Sequence, residues 1–202
     1  MRDELESELL RVADEALNRE GNILDIGCGT GYWLSRLEAR GVASPRLHGI
    51  DVLADRVERA RAALPLATVV QGDARSLPWS GDSFSLVLVF TVLSSLADRA
   101  AIANALAEAR RVTAPGGMIV IYEPRVPNPF NRATIHVSRR ALRGLGSSTG
   151  RRSLTVLPPL ARALGPLTPA AYPLFAKVPL LRTHKLTWVS ADLRAGLASD
   201  VL

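Results

Sequence analysis

The sequence predicts an α/β fold, a doubly wound and mostly parallel sheet with helices on both faces, and three observations lead to it. Through the first 124 residues, segments with strand character alternate with segments of helical periodicity at short intervals. The strand segments are continuous apolar runs, which is typical of strands covered on both faces. The first of these runs enters a turn with three glycines at alternate positions, and a helical pattern follows it. With 202 residues, 48% of them hydrophobic, the chain suits a single domain with a sizeable core.

The elements of this first part follow from local patterns. Residues 2–19 place apolar side chains at helical spacing and end at Gly21, which predicts an amphipathic helix. The same criteria predict helices at 32–41, 53–64 and 99–112, the last one ending before Pro115-Gly116-Gly117. Strands are predicted at 22–26, 46–51, 66–73, 82–93 and 118–123. Right-handed crossovers between parallel strands then determine how the sheet is wound.

After Glu123 the pattern changes. A proline-rich connection at 124–131 is followed by a predicted helix at 132–146 and a predicted flexible turn, "GSSTGRR", at 146–152. A sixth strand is predicted at 153–157, and residues 158–164 could open a helix at their prolines. Residues 183–190 alternate between polar and apolar side chains, which predicts a half-exposed seventh strand. The tail is weakly helical.

The charge distribution and the composition limit the classes of ligand and partner that we expect for this chain. Residues 128–202 contain 11 basic and 2 acidic residues, a net charge of +9, which could face an anionic acceptor. These basic residues are scattered and lack interleaved aromatics, so we do not expect a nucleic-acid partner. Cys28 is the only cysteine, which excludes an intrachain disulfide, and we expect no metal site. An acidic start and the lack of 18 consecutive apolar residues predict a cytoplasmic protein without a transmembrane segment.

The turn "ILDIGCGTGYW" at 23–33 predicts a ligand site. Glycine accepts unusual backbone angles and lets a ligand approach, and the following helix offers unpaired N–H groups. The spacing is G-x-G-x-G, and Tyr32 stands where a dinucleotide fingerprint has its third glycine. Asp25 would place a carboxylate beside a diphosphate, which is unfavourable. The same carboxylate suits a ligand with a positive amino or sulfonium group.

Asp51 ends the second predicted strand, 20 residues after Gly31. An acid at this position can accept hydrogen bonds from both hydroxyls of a ribose. The alternative is a helix N-cap or a surface acid. Because dinucleotide enzymes share this feature, Asp51 indicates a ribose without identifying the cofactor.

Further motifs complete a resemblance. Gly72-Asp73-Ala74, Leu77-Pro78, Asp82-x-Phe84 and "ARRVTAPGGMIVIYE" at 109–123, together with the glycine turn and Asp51, resemble class I S-adenosylmethionine-dependent methyltransferases over roughly residues 21–124. The resemblance implies a Rossmann-like seven-stranded sheet in the order 3-2-1-4-5-7-6, with the last strand antiparallel. Strands 153–157 and 183–190 then fill the two remaining places. It also implies an N-terminal helix at 1–20, a cofactor-binding core at 21–124 and an acceptor-side segment at 125–202.

The resemblance assigns cofactor contacts residue by residue. It implies that the backbone at Gly27, Cys28 and Gly29, within the turn that ends at Gly31, approaches the methionine part of S-adenosylmethionine, with Asp25 close to its amino group. Asp51 would accept hydrogen bonds from the ribose hydroxyls, and Val52 would pack on the adenine. Asp73 would accept from the adenine amino group, and the Ala74 N–H would face a nitrogen of the adenine ring. The Phe90 carbonyl would face the amino group of the methionine part.

The sequence also departs from the family. Ser85 stands where many relatives have a second acid, and "TVLSSLAD" at 91–98 has serines where many have a histidine. The lead-in before the first strand is about 20 residues, whereas relatives often carry a longer lid with a tyrosine.

Methyl transfer is an in-line displacement that releases a neutral thioether, so the enzyme must orient the nucleophile and exclude water. Glu123 and His136 are weak candidates for a base, and for Glu123 a capping or salt-bridge role is favoured. Tyr32 and Trp33 are expected to pack, with a pocket wall as the alternative, and His184 is expected to begin a strand. The predicted function is methyl transfer from S-adenosylmethionine to a small-molecule oxygen or nitrogen acceptor.

The alternatives are a nucleic-acid methyltransferase, a non-catalytic S-adenosylmethionine-binding protein and a nicotinamide oxidoreductase. "FTVL" after the fourth strand differs from the "NPPY"-type motif of base-amine methylation. "PNPFN", "LPPLARAL" and "VPLLRTH" resemble C-terminal parts of small bacterial methyltransferases near glycan-assembly functions, which implies a sugar or lipid-linked acceptor. Arginines of this segment would meet its phosphates.

Overall fold

A computed structural model of the protein describes residues 2–125, 137–156 and 182–191. The helices are α1 (Arg2–Asn18), α2 (Tyr32–Glu38), α3 (Ala54–Ala63), α4 (Arg99–Val112) and α5 (Arg139–Leu142). The strands are β1 (Asn22–Ile26), β2 (Leu47–Asp51), β3 (Thr68–Gln71), β4 (Phe84–Phe90), β5 (Thr113–Pro124), β6 (Ser147–Val156) and β7 (Arg182–Ser190). Short 3₁₀ helices occur at Ser44–Arg46, Leu93–Ser95 and Arg143–Leu145.

All seven strands form one sheet in the order β3-β2-β1-β4-β5-β7-β6. The pairs β1–β2, β1–β4, β2–β3 and β4–β5 are parallel. β7 lies antiparallel between β5 and β6. The predicted strand order and the antiparallel last strand are therefore confirmed. β1 and β4 are neighbours in the middle of the sheet, where the winding changes direction, and ligands bind at such a point.

The core explains why the strands are continuous apolar runs. All seven residues of β4 are buried, and α1 and α4 pack on opposite faces of the sheet. Leu9 of α1 is 1% exposed and Ile102 of α4 is 3% exposed. Each fully buried side chain of this size contributes about 1.5–3 kcal/mol. Among the described residues, no helix combines the length and the apolar content that a membrane crossing requires.

Two buried acids hold α1 on the domain. The Glu6 carboxylate accepts hydrogen bonds at 2.9 Å from the guanidinium groups of Arg36 and Arg40. Glu8 pairs with Arg11 and with Arg152 of β6. The Arg36 hydrogen bond, with Arg40 adding to it against the effect of burial, lowers the pKa of Glu6.

The second part of the chain differs from the sequence prediction. The predicted flexible turn at 146–152 is wrong, because β6 begins at Ser147. The helix predicted at 132–146 is reduced, within the described residues, to α5 and the 3₁₀ turn that follows it. Pairing with β7 supplies the backbone hydrogen bonds of β6, and local propensity does not reveal such a partner. The helix predicted at 158–164 and the tail lie outside the described residues.

Candidate active site

The glycine turn after β1 is tied to the end of β2. The N–H groups of Gly27 and Cys28 donate to the Ile50 carbonyl, at 2.7 and 3.0 Å. Gly27 has φ 72°, and a Cβ added there would lie 2.2 Å from Val92 Cγ2. The turn therefore fits only glycine at this position, because a side chain would collide with the loop after β4.

Gly29 differs from Gly27 in its surroundings. It has φ 54°, and a Cβ added there would have no atom within 4 Å. Two residues later Gly31 forms the N-cap of α2 without a side-chain hydrogen bond. Burial raises the pKa of the Cys28 thiol, so Cys28 contributes backbone and small size at this turn.

Asp51 accepts hydrogen bonds from two turns, the glycine turn after β1 and the turn that leads from β2 into α3. Its Oδ2 accepts from the Gly29 N–H at 2.9 Å and its Oδ1 accepts from the Leu53 N–H at 3.0 Å. The side chain is 6% exposed and lines a cavity at the ends of the strands. The bond to Leu53 stabilises the turn before α3 and is not a helix N-cap, because Leu53 itself is the N-cap residue of α3. Because an ionised carboxylate offers about four acceptor sites, both bonds leave capacity for a ligand.

Asp25 is a buried acid whose Oδ2 has no hydrogen-bond partner among the described residues. Its side chain is 1% exposed. Burial, and after it the charge of Asp51, raises the pKa of Asp25 to about 8. An unpaired carboxyl group of this kind is costly in isolation and is stabilised by a cation.

The cavity beside Asp51 has a volume of about 520 Å³. It is lined by the predicted cofactor residues Gly27, Asp51, Val52, Asp73, Ala74 and Phe90. Val52, which lines this cavity, is 64% exposed, so its side chain is accessible to a ligand. Asp73 accepts from the Arg75 N–H at 2.8 Å and pairs with its guanidinium, which lowers the pKa of Asp73.

Sequence reasoning missed Thr91, the residue that follows β4. It has φ 57°, a strained conformation for a β-branched residue. Its N–H donates to the Tyr122 carbonyl at 2.8 Å and its hydroxyl donates to the Phe90 carbonyl at 2.7 Å. The carbonyl that was predicted to face a ligand thus already accepts one hydrogen bond and retains its second lone pair. No signal in the sequence distinguishes Thr91.

Glu123 has a structural role in the loop that follows β4. Its Oε1 accepts from the Leu93 N–H at 2.8 Å and its Oε2 from the Ser94 N–H at 3.2 Å. The side chain is 5% exposed, and burial raises its pKa. Both oxygens are therefore engaged in capping the 3₁₀ turn, which favours the capping interpretation over the base. The other base candidate, His136, lies outside the described residues.

A second cavity of about 550 Å³ adjoins the first and shares Gly27, Arg56, Phe90 and Thr91 with it. Tyr32, Trp33, Tyr122 and His184 also line it. The aromatic residues thus form a wall, in agreement with the alternative prediction for Tyr32 and Trp33. His184, expected only to begin a strand, stands within the same site.

The strand order and the acid-flanked glycine turn at the carboxyl ends of the strands define a class I methyltransferase fold with a nucleoside-sized groove. Residues 23–117 match the family model described as a methyltransferase domain. That match covers just under half of the chain, and the seven-stranded fold is the one found in class I S-adenosylmethionine-dependent methyltransferases.

Its relatives in sequence cover part of the chain. An uncharacterised 37.1 kDa protein in transposon TN4556 of Streptomyces fradiae is 42% identical over 104 residues, which are 50% of this chain and 29% of that protein. The demethylmenaquinone methyltransferase of Staphylococcus aureus strain MRSA252 is 32% identical over 117 residues, 56% of this chain and 47% of that enzyme. The chain thus spans less than half the length of these curated relatives.

A solved structure shares the fold. The crystal structure of the N-methyltransferase NodS from Bradyrhizobium japonicum WM9 matches with a TM-score of 0.70 at 18% identity, covering 95% of this chain and 96% of that one.

Proposed function

We propose that the protein transfers a methyl group from S-adenosylmethionine to a small-molecule oxygen or nitrogen acceptor. The observation that carries the proposal is the cavity at the glycine turn, which Asp51 lines, together with the buried acid Asp25, whose Oδ2 has no partner among the described residues, in the strand that leads into that turn. S-adenosylmethionine carries an ammonium group and a sulfonium group, and either one compensates a carboxylate at this position.

The remaining lining fits the other parts of this cofactor. Asp51 retains acceptor sites for the ribose hydroxyls, and the exposed Val52 offers an apolar surface for the adenine. The open space at Gly29 admits the amino-acid part close to the backbone. A dinucleotide fits less well, because its diphosphate would lie beside the Asp51 carboxylate and would, unlike an ammonium group, oppose the ionisation of Asp25.

When bound, S-adenosylmethionine supplies an electrophilic methyl group and a neutral leaving thioether. The chain must then orient the acceptor in line with that group and exclude water. The adjoining cavity with the aromatic wall offers the space for the acceptor. One alternative for the acceptor is a sugar phosphate or a lipid-linked glycan, whose phosphate would meet Arg56, a residue that lines both cavities.

Calorimetry tests the cofactor part of the proposal, because it detects the proton that Asp25 is expected to release when the cofactor binds. With a pKa of about 8, Asp25 is mostly protonated at pH 7 in the free protein. An ammonium group bound beside it favours the ionised form, so binding releases close to one proton. The release appears as a dependence of the binding heat on the ionisation enthalpy of the buffer.

We expect Asp25→Asn to lose this proton release and Asp55→Asn, an exposed acid on α3, to keep it. S-adenosylhomocysteine carries the same amino group and should release the same proton. Tight binding of NAD with no heat from S-adenosylmethionine would overturn the proposal. Formation of S-adenosylhomocysteine in the presence of candidate acceptors then separates an enzyme from a non-catalytic binding protein.

A further inference from the structure

The second cavity brings together groups from distant parts of the chain. In the pairing of β5 with β7, Pro124 lies opposite His184. The imidazole of His184 stacks on the ring of Tyr122, with centroids 4.9 Å apart and an interplanar angle of 11°. Both residues line the same cavity as Gly27 and Gly29, so they lie on the side of the glycine turn where an acceptor would meet the methyl group.

The imidazole of His184 has one nitrogen engaged. Its Nδ1 lies 2.9 Å from Thr183 Oγ1, and its Nε2 makes no hydrogen bond with the described residues. Burial lowers the pKa of His184 below its usual value, so the ring is neutral at pH 7. When Nδ1–H donates to Thr183, Nε2 presents a lone pair that can accept a proton.

The wall of the cavity is a row of aromatic rings in edge contacts. The centroid distances are 5.1 Å for Tyr32–Trp33, 5.2 Å for Trp33–Phe90 and 5.9 Å for Phe90–Tyr122. Such rings favour a further aromatic ring, which can pack edge-to-face or stack on them. A planar acceptor therefore gains contact area here that a branched aliphatic molecule does not.

The charges of this cavity disfavour an amine. Among the described residues that line it, Arg56 is the only ionised side chain and no carboxylate is present. An alkylamine with a pKa of about 10.4 enters as a cation and would meet the guanidinium without a counter-charge. A neutral hydroxyl compound enters without that cost.

As a proton acceptor, the His184 imidazole favours hydroxyl compounds with a lower pKa. A phenol has a pKa of about 10, whereas an aliphatic hydroxyl is closer to water, at about 15.7. Since proton transfer becomes efficient as the two pKa values approach each other, a neutral imidazole suits a phenol far better than an alcohol.

We propose, on the basis of the proposed function, that His184 and the aromatic wall form an acceptor site for a planar aromatic hydroxyl compound. The hydroxyl proton passes to His184 Nε2 and leaves an imidazolium. The acceptor oxygen bonds to the methyl carbon while the carbon–sulfur bond breaks, and its electron pair stays on the sulfur. The products are an aryl methyl ether and the neutral thioether.

The experiment measures binding of 4-nitrophenol to the protein saturated with S-adenosylhomocysteine, at a pH below the pKa of the free probe, so that the probe is neutral in solution. We expect binding at least about tenfold tighter than that of cyclohexanol, and a shift of the bound probe's absorption toward that of the phenolate. His184→Gln should weaken probe binding about tenfold and abolish the shift. His48→Gln, which alters a partly buried histidine on β2 outside this cavity, should change neither.

Tryptophan fluorescence locates the probe. Quenching by 4-nitrophenol should be lost in Trp33→Phe and kept in Trp79→Phe, because Trp79 packs against His48 and Phe84 away from the wall. Equal probe binding and an equal shift in His184→Gln, with S-adenosylhomocysteine still bound, overturn this inference and leave the proposed function standing. No binding of S-adenosylhomocysteine by the unaltered protein overturns the proposed function instead.

If His184→Gln fails to fold, Thr183→Val serves as the second variant, because it keeps the ring and removes its Nδ1 partner. We then expect the absorption shift to disappear. An undiminished shift in Thr183→Val contradicts the inference.

Discussion

Replacing Gly29 with alanine adds a single methyl group to the glycine turn. We expect this change to have a small effect on the stability of the fold and a larger effect on the binding of the proposed cofactor. Gly29 has φ 54°, and the position of an added Cβ has no atom within 4 Å. No collision in the free protein is therefore expected. The remaining cost is the left-handed backbone, which alanine resists.

The effect on stability is small. A left-handed conformation costs an alanine about 1–2 kcal/mol, and the stiffer unfolded chain offsets about 0.4–1 kcal/mol of it. The net loss is about 1 kcal/mol, which lowers the Tm of a domain of this size by about 2–4 °C.

The effect on binding is larger. Gly29 lines the second cavity at the turn that the amino-acid part of the cofactor is proposed to approach, so the new methyl group occupies space that this part needs. An overpacked contact costs about 1–3 kcal/mol, so S-adenosylhomocysteine should bind about five- to 150-fold more weakly.

Gly41→Ala is the matched control. Gly41 has φ 93°, an added Cβ there also has no atom within 4 Å, and the residue lines neither cavity of the site. Circular dichroism should show similar losses of Tm in the two variants, and calorimetry should show weakened binding in Gly29→Ala alone. Equal affinities in the two variants would refute the reasoning that the space beside Gly29 belongs to the cofactor.

Three further predictions follow from buried contacts. Since the pKa of Asp25 is raised to about 8, the folded protein holds this proton more tightly than the unfolded chain, and the free energy of unfolding should fall as the pH rises from about 4 to 8. Urea titrations across that range should show a shallower fall in Asp25→Asn, and an unchanged slope contradicts the assignment. Glu123→Gln leaves one of two backbone N–H groups without an acceptor, so denaturation should show a loss of about 1–3 kcal/mol; an unaltered midpoint opposes the capping role. Gly27→Ala should lose about 2–5 kcal/mol, because a left-handed alanine collides with Val92, and Val92→Ala in the same chain should restore part of the loss. Strict additivity of the two substitutions argues against the collision.

The part of the site that was predictable is built from local signals. A buried strand, a glycine turn and a helix start are adjacent in sequence, so the turn at Gly27 and Gly29 and the acid before it follow from spacing alone. Asp51 and Asp73 stand at the ends of the second and third predicted strands, so their positions follow from local patterns in the same way. Their contacts with a cofactor remain predictions, while the sheet to which they belong is confirmed.

The turn predicted at 146–152 shows where a prediction from neighbouring residues alone fails. Its two glycines and two serines favour a turn, yet β6 begins at Ser147 because β7 lies beside it and pairs with its backbone.

The sequence by itself determined the alternation of strands and helices, the glycine turn and the acids that flank it, since each depends on neighbours within a few residues. Only the tertiary structure decided which groups share the acceptor side of the groove. It set His184 against Tyr122 and joined the Glu123 carboxylate to the loop after β4. These contacts depend on sheet neighbours that are separated by about 30 to 60 residues in the chain, and side-chain spacing carries no information about such pairing.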